Sequence, residues 1–101
     1  GMHAVHTNNN LCLIVFGLKL AEGDLMRGLS QTVAMGLDSD CTAASAGSIL
    51  GAVLGKSAIA PELYECFHDR MDTYLKNTEA FSIRDMAKRY SALAHKVHSR
   101  L

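Results

Sequence analysis

Two aspartates, Asp38 and Asp40, stand within three residues of each other in the segment GLDSDCTAAS, where an alanine-rich stretch begins. Carboxylates so close can project towards one spot. Their repulsion calls for an offset, either the N–H groups and dipole of a helix start or a bound cation. Spacing alone leaves both open: Asp40 as an N-cap with Asp38 a solvated turn residue, or the pair as ligands of a hard metal ion. At the same helix start the thiol pKa of Cys41 could be lowered. Cys12 and Cys66 fall on apolar faces and are expected to be buried and inert. His95 and His98, three apart beside Lys96 and Arg100, fit solvated or packing residues better than metal ligands. His68 and Asp69 are neighbours whose side chains would diverge on a helix, which argues against a base and its orienter.

The elements that would position these groups read as helical. From Leu11 to Ala21 the residues are apolar nearly all round, which predicts a helix buried on most sides, capped by Thr7 or one of Asn8, Asn9 and Asn10 and ended by Gly23. Asp24 caps a second helix with Leu25, Leu29 and Val33 on one face and Gly36 at its end. A third begins near Asp40 and runs to Leu54. Along it Ala43, Gly47, Gly51 and Gly55 form a ridge with almost no side chain. Each interior glycine costs roughly 1 kcal/mol of helix propensity, so the ridge predicts close approach of a neighbouring backbone. Pro61 suits the first turn of a fourth helix presenting Leu63, Cys66, Phe67 and Met71. Ser82 and Asp85 resemble a capping box for a fifth, with Ile83, Met86, Ala87, Tyr90, Leu93, Ala94 and Val97 at the helical period. The methionines are expected to fill the core.

Composition narrows the field. The chain has 101 residues, 10 Lys plus Arg against 10 Asp plus Glu, and 49% hydrophobic residues, which predicts one compact all-α domain over 1–101, a bundle of about five helices. Zero net charge without a basic run argues against nucleic acid and against a polybasic membrane contact. The longest apolar stretch, Leu11 to Leu20, is shorter than the roughly 18 residues a membrane span needs. Three scattered cysteines without a CxxC pair fit a reducing cytoplasm. Gly1 before Met2 reads as a residue left by tag removal.

The string GLDSDCTAASAGSILGAVLG resembles the C-terminal metal motif of the ADP-ribosylglycohydrolase family, in which a G-x-D-T-D-[STC] turn leads into a helix rich in Ala and Gly. His6, Thr7, Asn9 and Asn10 match a His-Thr-x-Asn-Asn element of the family, and Glu22, Gly23 and Asp24 partly match a Gly-Glu-Gly-Asp connection. The resemblance continues through Ile59 and Pro61 to a helix bearing Asp69 and Arg70, covering about His6 to Lys88. It implies an all-helical fold whose full-length members hydrolyse the glycosidic bond between ADP-ribose and a modified side chain, usually with two magnesium ions. Carried over residue by residue, it assigns metal ligation to Asp38, Asp40 and Cys41, with Ser39, Asn9 and Asn10 as site-lining residues.

Two departures qualify that assignment. A thiol is a soft ligand ill-suited to magnesium, and Ser39 stands where Thr is usual. Full family members are roughly two to three times longer, within the range of large domains, so this chain is expected to be a truncated counterpart of their C-terminal part. Their Thr-Asp-Asp-Thr-like turn has no match in it. A binuclear centre needs more ligands than one DSD turn presents. Three functions follow: a homodimeric helical module with an incomplete metal site, its first helix the interface; a magnesium-dependent hydrolase completed by a second subunit or partner chain; and a small ADP-ribose or nucleotide binding module.

Overall fold

A computed structural model describes His3 and residues 5–100; the Gly1–Met2 pair lies outside the described residues. The helical class expected from the sequence holds, with one small antiparallel sheet added. The chain divides into two compact units, Gly1–Ile59 and Ala60–Leu101.

The first unit packs three helices, α1 (Thr7–Ala21), α2 (Leu25–Ala34) and α3 (Ser39–Leu54), each against the other two. His6 caps α1, its Nδ1 accepting from the Asn8 amide at 3.2 Å, so neither Thr7 nor an asparagine has that role. The helix ends in two left-handed residues, Glu22 (φ 50) and Gly23 (φ 82), which turn the chain towards α2. Asp24 then caps α2 as expected, Oδ1 accepting from the Arg27 amide at 2.6 Å.

What meets between these helices is mostly small. Asn10, Ile14, Gly17 and Ala21 recur at helical spacing along the inner side of α1, and Gly17 and Ala21 are buried. The buried positions of α2 are Leu25, Gly28 and Thr32, not the expected Leu25, Leu29 and Val33, and Val33 is exposed. Those of α3 are Thr42, Ala46 and Leu50. A Cβ on Gly17 would run into the Thr32 hydroxyl, and one on Gly28 would sit 2.8 Å from the Ala21 Cβ. Close approach of α1 and α2 therefore rests on these two glycines. The predicted ridge takes part at one position: a Cβ on Gly47 would sit 3.0 Å from Leu29 Cδ2, whereas one on Gly51 would meet only Ile59, at 3.9 Å. Thr32 is itself satisfied, donating to the Gly28 carbonyl at 2.7 Å.

A helix apolar on most sides was expected to be covered on most sides, and α1 is not. Leu11, Val15, Phe16 and Leu20 are exposed, because α2 and α3 pack on the side of α1 that carries Asn10, Ile14, Gly17 and Ala21. Cys12 and Cys66 are exposed as well, which corrects their expected burial, and none of the described methionines is fully buried.

The second unit holds the largest departure. Where a fourth helix was expected, Pro61 opens a short 3-10 turn (Pro61–Leu63), a second follows (Glu65–Phe67), and the chain enters a hairpin of β1 (Arg70–Leu75) and β2 (Thr78–Ser82). His68 (φ 49) and Asp69 (φ 57) are consecutive left-handed residues, which no α-helix accommodates. Beyond them Thr73, Tyr74, Thr78 and Phe81 suit strands, and Asn77 (φ 63) supplies the turn. Arg70 pairs with Ser82, Met71 with Phe81 and Asp72 with Ala80, with a register irregularity before Leu75 meets Thr78.

The last helix, α4 (Ile83–His98), starts at Ser82, whose Oγ accepts from the Asp85 amide at 3.0 Å. Its first turn is secured further by Asp69: Oδ1 accepts from the Arg84 amide at 2.8 Å, Oδ2 from the Ser82 hydroxyl at 2.7 Å, and its carbonyl from the Ile83 amide at 3.1 Å. The Ser82 hydroxyl above all, then the Arg84 amide, holds the Asp69 carboxyl below its ordinary value of 3.8. A carboxyl depressed in the folded state adds stability above its unfolded pKa, and that increment disappears as pH falls through the folded value. The protection of the Ile83–Asp85 amides, relative to their intrinsic exchange at each pH, is therefore expected to fall as pH drops through the depressed Asp69 value in the native chain. Asp69→Ala should show fast exchange there already at neutral pH; unchanged protection in that variant would refute the capping role.

Candidate metal centre

The acidic pair sits where α2 hands over to α3. Gly36 (φ 73) and Leu37 (φ 59) are both left-handed and swing the chain into the new helix. α3 starts at Ser39, so Asp38, not Asp40, occupies the N-cap position, and Asp40 lies in the first turn. Asp38 fills that position without its usual job, because its carboxylate makes no bond to the helix amides. Its backbone carbonyl takes the first helical bond, from the Thr42 amide at 3.0 Å, and the buried Thr42 hydroxyl bonds the Asp38 and Ser39 carbonyls at 3.1 and 3.3 Å.

The Asp38 carboxylate turns instead to α1. Asn10 donates from Nδ2 to Asp38 Oδ2 at 2.8 Å, across 28 residues of sequence. The other end of that amide, Asn10 Oδ1, is buried and has no hydrogen-bond partner. Asn9, the second lining candidate, points its amide at the His3 carbonyl, 3.3 Å away. Ser39 is half-buried beside the pair.

Asp38, Asp40 and Cys41 each offer one ligand atom, all within 4.8 Å of one another, and form the one such group of three among the described residues. Asp38 is half-buried; Asp40 and Cys41 are exposed. The thiol pKa of Cys41 is raised, not lowered: a hydrogen bond with Asp38 is the largest cause, followed by the charges of Asp38 and Asp40. The helix N-terminus favours a thiolate, and two carboxylates within reach outweigh it.

This donor set fits a hard cation in part. Two carboxylates suit magnesium or calcium, whereas a thiol kept protonated is a poor ligand for either. Magnesium takes six oxygens, so Asp38 and Asp40 can supply a minority of one shell. His95 and His98 lie exposed in the last turn of α4 and join no cluster among the described residues. Asp69 does not orient His68, since its carboxylate is committed to Ser82 and Arg84. The link from Asn10 to Asp38 went unforeseen. Its trace in the sequence is the spacing of Asn10, Ile14, Gly17 and Ala21, which puts a polar amide on the inner stripe of α1.

A family model described as ADP-ribosylglycohydrolase matches residues 3–99. No curated protein and no solved structure matches the chain.

Proposed function

Because this chain belongs to the ADP-ribosylglycohydrolase family, we propose that it is a helical module presenting half of a divalent-cation site, associates with itself through α1, and has no hydrolase activity as a lone subunit. The convergence of Asp38 and Asp40 carries this reading: the two acids lie together at a helix start and one is held by a neighbouring helix. Asp38 and Asp40 would hold magnesium, with Cys41 a bystander. A divalent ion held there would supply Lewis-acid activation of water for attack on the anomeric carbon of an ADP-ribosyl bond. What this chain's own residues do is hold two negative charges close together and, through Asn10, fix the aim of one.

A second reading, a hydrolase completed by another subunit, draws on the layout of α1. Its exposed stripe starts at Leu11, next in sequence to the Asn10 that bonds Asp38, so an interface on that stripe would begin at the end of α1 that also holds the acidic pair. Two copies of Asp38 and Asp40 would double the carboxylates available. Among the described residues no helix is long and apolar enough to cross a membrane. The three free cysteines suit a reducing compartment such as the cytoplasm.

Magnesium titrated into the native chain and Asp38→Ala, followed by calorimetry, tests the site. Heat is expected from the native chain and none from the variant; equal and negligible heats would dismiss the metal site. Release of ADP-ribose from an ADP-ribosylated peptide by the dimer with magnesium would favour the hydrolase. A thermal shift with ADP-ribose in the absence of turnover would favour a binding module.

A further inference from the structure

We propose that Asn10 is the positioning residue of the aspartate pair: it holds the Asp38 carboxylate away from the α3 amides and aimed at a cation shared with Asp40. The inference deepens the half-site reading and rests on it.

Three observations carry it. Asp38 occupies an N-cap position yet leaves the helix amides unbonded, so its side chain has been drawn off the partner its position favours. The donor that draws it off is Asn10 Nδ2, at 2.8 Å, in a part-buried bond between the first turn of α1 and the start of α3. Asn10 makes that bond while its own Oδ1 stays buried without a partner. Burying an amide oxygen unpaired is unfavourable, so the bond to Asp38 is kept at a cost. Here the choice of end follows from charge: turned the other way, Oδ1 would face the Asp38 carboxylate, lone pair against lone pair. The bond fixes Oδ2 of Asp38; a cation at the other oxygen would displace only the weak hydrogen bond from the Cys41 thiol. Hydrogen bonds from outside the ligand shell orient metal-binding carboxylates in this way, and losing one typically weakens metal binding about 10-fold to 100-fold.

The test pairs two measurements on the whole chain. Magnesium affinity by calorimetry is compared between the native chain and Asn10→Leu, which keeps the bulk and removes both the donor and the orphaned oxygen. Melting in a chelator follows the fold of each. About 10-fold weaker binding or more is expected in Asn10→Leu. A purely structural Asn10 would move the melting point and leave the affinity alone. Separately, the side-chain amide of Asn10 is followed by NMR in the metal-free chain, where slow solvent exchange is expected and should be lost in Asp38→Ala. This readout needs neither metal nor a folded Asn10 variant. Equal magnesium affinity in the native chain and Asn10→Leu, or an Asn10 amide indifferent to Asp38→Ala, would overturn the inference alone. No magnesium binding by the native chain would remove the half-site reading and the inference with it.

Discussion

Gly17→Ala is expected to destabilise the three-helix unit by about 1–3 kcal/mol, the cost of forcing extra volume into a packed interior. The sign matters more than the size. In the middle of a helix, alanine ordinarily gains about 0.5–1 kcal/mol over glycine. At Gly17 the new methyl group would collide with the hydroxyl of Thr32, a fully buried side chain fixed by its own bond to the Gly28 carbonyl. Either Thr32 gives up that bond or α1 and α2 separate, and both cost stability. Gly51→Ala supplies the contrast, because its methyl group would meet only Ile59 at 3.9 Å, ordinary van der Waals contact, and the propensity gain should appear undiminished. Urea melts of the two variants are expected to move in opposite directions. A shift towards greater stability in both would mean that the α1–α2 approach is looser than described.

That contrast also shows what could be read from the residues in order. The glycines of α3 at every fourth position look like a packing ridge, while Gly17 stands singly in an apolar run and Gly28 singly between Arg27 and Leu29. Which glycine matters depends on what faces it, and Thr32 facing Gly17 is a tertiary fact with no local mark. The helices with strong caps and clear periods, α2 and α4, were legible to within a residue at their starts, since Asp24 and Ser82 cap as their side chains predict. The stretch from Leu63 to Met71 misled because its apolar spacing suits a helix, whereas the left-handed pair His68 and Asp69 ends any helix. That pair is held by Asp69 bonding to Ser82, Ile83 and Arg84, more than a dozen residues later.

The site was legible in its residues and not in its electrostatics. Asp38, Asp40 and Cys41 come together as adjacent positions on a turn must. The direction of the Cys41 shift did not follow from the helix start, because a partial dipole charge competes there with two full charges nearby. The family element assigns both Asn9 and Asn10 to the lining of the site, and nothing in the run of three asparagines separates the two. The role of Asn10 emerges only when α1 is laid against α3.

Replacing Val15 and Phe16 together with glutamate is expected to turn the proposed dimer into a monomer without unfolding it. Leu11, Val15 and Phe16 are 59%, 54% and 57% exposed, so this side of α1 carries large apolar groups that nothing in its own unit covers. A two-fold contact uses each residue twice, once from each copy. Full burial of such a side chain is favourable by about 1.5–3 kcal/mol, and roughly half of that remains to be gained here. Four such contributions removed amount to about 3–6 kcal/mol, a loss of affinity on the order of 100-fold or more before the new charges repel one another. Light scattering should give a dimer mass for the native chain and a monomer mass for the variant, with matching circular dichroism because neither position is packed inside the unit. A native chain that scatters as a monomer at high micromolar concentration would end the dimer proposal. A charged variant that stays dimeric would move the interface off α1, and with it the argument that the interface begins at the end of α1 that holds Asp38 and Asp40.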